Sequence, residues 1–165
     1  MKQTTLLLPE IKLVGIACRT NNAQETTPRA KIGAMVQKYM QDSLATQIQH
    51  RKNPGTGYSV FTDYDSDFTG DYTYFIGEEV TSFDPLPRDF EKHTIPAQQY
   101  TKFTTLPGVM PTVCIEAWQK IWAMTPTELG GPRNYVADFE LYDARAQDPQ
   151  HTVLDIYIGL RPGAS

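Results

Sequence analysis

The strongest constraint on this chain is an order of elements that it spells out twice. Residues 11–19 alternate as a strand should, and a polar connector through Asn21, Asn22 and Thr26 leads into a helix. Pro28 suits its first turn, and Ile32, Met35, Val36, Tyr39, Met40 and Leu44 recur at three-and-four spacing, so one apolar face runs to about Ile48. Asn53-Pro54-Gly55 ends it. Residues 58–65 and 71–80 then read as two strands joined by a short loop containing Gly70. After the link Asp84-Pro85-Leu86-Pro87, residues 90–104 supply another strand region, interrupted near Pro96, where a bulge or an edge position is needed. A second helix opens at Pro111, presents Val113, Ala117, Trp118, Ile121 and Trp122 on one face, and stops at Thr125-Pro126. Residues 135–142 and 153–160 form the last pair of strands. Each half is β-α-β-β, which makes the chain an α+β protein.

The halves align at their strand pairs. Phe61-Thr62-Asp63-Tyr64-Asp65 matches Phe139-Glu140-Leu141-Tyr142-Asp143, and Tyr74-Phe75-Ile76-Gly77 matches Ile156-Tyr157-Ile158-Gly159. This points to an internal duplication, residues of about 8–80 and 90–160, inside a single domain spanning 1–165; two hairpins that merely share composition are the alternative. A net charge of -4 with singly scattered Lys and Arg offers no clustered positive field, so direct binding of nucleic acid is not expected. No apolar run approaches the roughly 20 residues that span a bilayer, and the leading residues are too short for a secretory core, so no membrane partner and a cytoplasmic location are expected.

Strand parity then selects a face. In residues 153–160, Leu154, Ile156, Ile158 and Leu160 point one way, towards the helices, and Asp155 and Tyr157 point the other. Glu140 and Tyr142 likewise share a face, opposed to Phe139 and Leu141. If Phe139 and Leu141 meet the helices, two acids and two tyrosines converge on the far side, with Thr62, Tyr64, Thr73 and Phe75 as their first-half equivalents. Rings and a partly desolvated carboxylate together suit a delocalised cation. Trp118 or Trp122 could close such a pocket, one of them being ordinary core. The plainer alternative leaves Glu140 and Asp155 on a solvated sheet face.

Val14-Gly15-Ile16, Tyr74-Phe75-Ile76-Gly77, Ile95-Pro96-Ala97-Gln98-Gln99-Tyr100, the Trp-containing helix, Phe139-Glu140-Leu141-Tyr142 and Leu154-Asp155-Ile156-Tyr157-Ile158 together resemble the gyrase-inhibitor-like (GyrI-like) effector-binding domain. That domain is the ligand-sensing half of several AraC-type and MerR-type multidrug-responsive regulators and also occurs alone. The resemblance implies a pseudo-twofold duplicated fold, helices on one side of an antiparallel sheet, and a ligand cleft between the halves. It departs at the last strand, where the family ends Glu-x-Tyr/Trp-x-Pro and this chain has Asp155 and Gly159, so Glu140 carries the family's carboxylate role more securely. With the first strand at Ile11, no helix-turn-helix is expected before it, and any regulatory output is indirect.

The reading is a small-molecule sensor or sequestering protein for cationic or aromatic ligands, with Glu140, Asp155, Tyr142, Tyr157, Tyr64, Phe75, Trp118 and Trp122 as ligand contacts. One alternative is a hydrolase using Glu140 and Asp155 as base and acid; another is an inhibitor that binds protein. No nucleophile motif, phosphate loop or cofactor signature is present, Cys18 and Cys114 read as buried free thiols, and His50, His93 and His151 lack metal-ligand spacing. Catalysis, cofactor and metal are therefore not expected.

Overall fold

Alternating apolar residues place eight strands in one antiparallel sheet in the computed structural model, which describes residues 1–162. In chain order they are β1 (Lys2–Leu8), β2 (Ile11–Thr20), β3 (Gly57–Thr62), β4 (Tyr72–Glu79), β5 (Glu91–Ile95), β6 (Gln98–Thr104), β7 (Ala137–Tyr142) and β8 (Asp155–Leu160). Across the sheet the order is β1-β6-β8-β7-β3-β4-β2-β5. Exchanging each of β1 to β4 for its counterpart among β5 to β8 reverses this order, which is the signature of two α+β units related by a pseudo-twofold axis between β3 and β7.

Two features differ from the sequence expectation. Residues 2–8, whose apolar residues cluster at Leu6-Leu7-Leu8 without alternation, form a strand paired with β6 along its whole length. Pro96 marks neither a bulge nor an edge within one strand: with Ala97 it separates β5 from β6. Pro9-Glu10 separates β1 from β2 in the same way, and the pairing register runs straight through both breaks, from Leu8 opposite Gln98 to Ile11 opposite Ile95. A two-residue link reaches at most about 11 Å. Strands at opposite ends of the ladder are thus tied together, and the sheet curls until its ends meet.

The curl has an inside and an outside. Its inner face holds Leu13, Val60, Phe75, Ile95, Tyr100, Phe139 and Tyr157, all buried, with Phe139 stacked on Tyr157 at 4.5 Å and Tyr100 edge-on to both. The outer face is covered by helices. α1 (Asn22–Glu25) is a single turn, α2 (Ile32–Gln41) packs Met35, Val36 and Tyr39 on Val14, Tyr74 and Ile76, and α3 (Thr112–Trp122) packs Ala117, Trp118 and Ile121 on Phe103, Leu154, Ile156 and Ile158. α4 (Pro126–Leu129) is a further turn, closed by a Thr125–Glu128 capping box. Pro28 precedes α2 and does not open it, because the Glu25 carboxylate accepts from the Lys31 and Ile32 backbone N–H groups and fixes the helix start there. Ser43, in left-handed backbone, separates α2 from the 3-10 turn Leu44–Gln47.

β2 and β4 approach so closely at the pair Gly15–Gly77 that a Cβ on Gly77 would lie 2.1 Å from the Val14 carbonyl oxygen. Backbone cannot yield as a side chain does. Gly77→Ala is expected to lower the unfolding free energy by at least about 2 kcal/mol in chemical denaturation, whereas Gly33→Ala on exposed α2, where a Cβ meets nothing, should be neutral or stabilising.

Candidate functional site

The helix-facing side of the central strands carries Phe61 from β3, Tyr72 from β4 and Glu140 from β7, with α3 on one side of them and α1 and the start of α2 on the other. Between the helices lies a cavity of about 200 Å³. Cys114, Ile115, Trp118 and Trp122 of α3 form one wall, and Asn22, Glu25 and Ile32 the other. Tyr64 and Phe68, from the β3–β4 loop, and Arg133 complete the rim. The loop is held by Arg19, which donates to Asp65 and to the Asp63 carbonyl, and by Asn22, which donates to the Phe68 carbonyl. Phe68 then stacks on Trp122 with ring centroids 5.9 Å apart.

Glu140 is the polar centre of this cavity. Its Oε2 accepts from the Trp118 indole N–H at 2.7 Å and from the Cys114 thiol at 3.2 Å, and its Oε1 from the Tyr142 hydroxyl at 2.5 Å. All three donors are neutral. The other buried acids among the described residues each face an arginine: Asp138 pairs with Arg133 at 2.6 Å, Asp155 with Arg145 at 2.6 Å, and Glu78 with Arg51 at 3.3 Å. Burial accordingly pushes the Glu140 carboxyl above the usual carboxylate range, against the opposing pull of its three donors. Burial and the adjacent Glu140 raise the Tyr142 hydroxyl and Cys114 thiol too, which keeps both as neutral donors.

The eight residues singled out from sequence separate into two groups. Glu140, Tyr64, Trp118 and Trp122 line the cavity, and Tyr142 reaches it through its bond to Glu140. Both tryptophans are there, not one. Asp155, Tyr157 and Phe75 lie on the opposite face, Phe75 and Tyr157 in the inner core and Asp155 held by Thr104 and Arg145. The expectation that Leu154, Ile156 and Ile158 meet the helices holds, but the one that Phe139 and Leu141 do so is overturned: both belong to the inner core. β7 and β8 pair Glu140 with Ile156 and Leu141 with Asp155, and directly paired residues share a face. The two acids therefore point to opposite sides of the sheet and cannot serve one substrate as an acid–base pair.

The cause is one residue of register. Phe75 opposes Val60 in the first half, and Tyr157 opposes Phe139 in the second. If Phe75 corresponds to Tyr157, then Val60 corresponds to Phe139, and the structural mate of Glu140 is Phe61, not Thr62. Phe61, Phe68, Arg133 and Cys114 escaped the sequence reading. Cys114 was legible, since Cys114, Trp118 and Trp122 recur every fourth residue on α3. Phe68 and Arg133 lie in loops positioned by tertiary bonds and leave no periodic signal.

Comparison with known proteins gives a consistent result. The model of the Cass2 family, integron-associated effector binding protein, matches residues 7–160. VCH_CASS2, an integron cassette protein from the mobile metagenome of Vibrio cholerae, is 26% identical and superposes with a TM-score of 0.73 over 96% of this chain and 95% of that one. YobU of Bacillus subtilis (strain 168), provisionally named a transcriptional regulator, is 27% identical over 150 residues, 91% of this chain and 92% of that protein. SAV2435, solved bound to tetraphenylphosphonium, shares the fold with a TM-score of 0.77 at 17% identity, covering 98% and 94% of the two chains.

Because Glu140 holds its proton more tightly in the folded chain than in the unfolded one, its neutral form contributes stability fully below the ordinary carboxylate range, and that contribution is lost as pH rises through the raised value. Urea unfolding from about pH 4 to pH 8 should show the parent losing stability relative to Glu140→Gln as pH rises. A parallel pair of curves would mean that burial does not perturb the group.

Proposed function

From the chain's membership of the Cass2 family, integron-associated effector binding protein, we propose that this protein binds a flat aromatic cation in the cavity between α3 and the α1–α2 segment, with Glu140 as counter-ion, as a stand-alone sensor or sequestering protein. The observation that carries the reading is the pairing of charges. Three buried acids have an arginine, and the fourth, in the wall of the cavity, has only neutral donors. A cationic ligand would supply the missing charge.

The walls fit that ligand. Phe61, Tyr72 and Trp118 line the cavity with aromatic rings, whose π-systems attract a cation electrostatically while removing it from water, and Trp122, stacked on Phe68, closes it. A cavity of about 200 Å³ favours a compact ligand, on the scale of two fused rings. Tetraphenylphosphonium, bound by the fold-sharing SAV2435, is itself a lipophilic aromatic cation. Tyr142 acts here through its hydrogen bond to Glu140, whereas Asp155, Tyr157 and Phe75, on the opposite face, do not line the cavity.

Two isosteric probes isolate the charge: N-methylquinolinium and neutral 1-methylnaphthalene, titrated against tryptophan fluorescence. Glu140→Gln should weaken the cation by on the order of ten-fold or more and the hydrocarbon much less, since it removes a desolvated charge-assisted contact and preserves shape. Equal loss for both probes, or none for either, contradicts the proposal.

A further inference from the structure

The Phe68–Trp122 stack has a second cavity on its other side. This outer space, about 310 Å³, shares Phe68, Trp122 and Arg133 with the first and is otherwise walled by apolar residues of α3, α4 and the loops that follow them, Tyr135 and Arg161. It contains no acid, and its two charged residues are both arginines. They are neighbours by construction, because Arg133 bridges Leu160 and the Arg161 N–H donates to the Pro132 carbonyl at 2.8 Å.

Arg133 is unusual in how little of it is satisfied. Its side chain is 6% exposed, Nη2 donates to Asp138, and the buried Nε has no acceptor. Asp138 is less dependent on it, since it also accepts from the Tyr64 hydroxyl and the Gly159 N–H. The guanidinium is gripped by rings, 4.4 Å from the Tyr135 centroid and 5.8 Å from that of Phe68. Tyr135 adopts left-handed backbone, φ 52°, a conformation bulky side chains seldom take, and so brings its ring over the guanidinium. A planar guanidinium set against two rings, with a donor left unpaired, matches a planar oxyanion.

We propose that the cavity outside the Phe68–Trp122 partition is a second binding compartment for an aromatic carboxylate, with Arg133 and Arg161 as the carboxylate's donors and Trp122 as the stacking surface for its ring. The compartment functions independently of Glu140. Taken with the cation reading above, on which this clause rests, it also gives the protein a zwitterionic ligand class: a cation at Glu140 and a carboxylate at Arg133, on either side of the partition.

The probes are benzoate and its neutral analogue benzamide, titrated into the ¹⁵N-labelled chain while the two indole resonances are followed. Benzoate should move the Trp122 indole saturably and the Trp118 indole little, and benzamide should bind several-fold more weakly. Arg161→Gln, at an exposed position, should weaken benzoate about five- to ten-fold and leave benzamide unchanged. Arg133→Lys, which keeps the charge but loses the planar fork, should weaken benzoate while circular dichroism confirms the fold. Glu140→Gln should leave benzoate binding as it is. Absence of a saturable shift, equal binding of the two probes, indifference to Arg161→Gln, or loss of benzoate in Glu140→Gln overturns the proposal. A failure of quinolinium to depend on Glu140, with benzoate behaving as described, removes the cation reading and leaves this one standing.

Discussion

The register of β7 against β3 and β8 is the constraint on which the rest of the molecule depends. Val60 lies opposite Phe139, and Phe139 opposite Tyr157, so every second residue of β7 is committed to the inner core and those between to the helices. Side-chain period in a strand is two, so a slip of one residue would carry Phe139 under α3 and Glu140 into the aromatic core. Neither is tolerable: the inner face closes on the stacked Phe139 and Tyr157, and the outer face provides the three donors that make burial of a carboxylate possible. The same register sets Phe61 at the position corresponding to Glu140 in the other half. One floor position thus carries a ring and its mate a charge, and the pseudo-symmetric cleft acquires a direction.

Charge placement sets Glu140 apart from the other buried acids among the described residues. Asp138, Asp155 and Glu78 each meet an arginine, which supplies the charge that offsets burial of the carboxylate. Glu140 meets hydroxyl, thiol and indole donors, which are strong enough to hold its orientation and leave its charge unmatched. A buried acid in that condition weakens the folded state above the carboxylate range. Its place in a cavity wall, beside two tryptophans, is the observation on which the proposed cation-binding role rests.

Much of this was legible in the sequence. Periodicity located both helices and both hairpins, the apolar parity of Leu154, Ile156 and Ile158 assigned the helix-facing side of β8, and Glu140 stood out as the strand acid. What escaped did so for physical reasons. β1 has no alternation because it is a largely exposed edge strand, and its pairing partner lies about a hundred residues away. The face of Glu140 was misassigned because β7 is buried on both sides, so parity alone does not tell which set meets the helices, and Thr62 passes for its mate because Phe61-Thr62 and Phe139-Glu140 look alike locally. Cross-strand pairing, which no single segment encodes, fixes both. Phe68 and Arg133 are placed by bonds from Asn22 and Asp138, and loop positions of that kind follow from tertiary structure alone.

The central claim is that the Glu140 carboxylate is the counter-ion of a bound cation, and the carboxyl group itself can report it. In chain labelled with ¹³C at Glu and Asp carboxyls, saturation with N-methylquinolinium should shift the titration of Glu140 to lower pH, because the cation favours the ionised form. The Asp155 resonance, on the opposite face, should not move. A Glu140 titration unchanged by the ligand, or a ligand-induced shift at Asp155 in its place, would contradict the account.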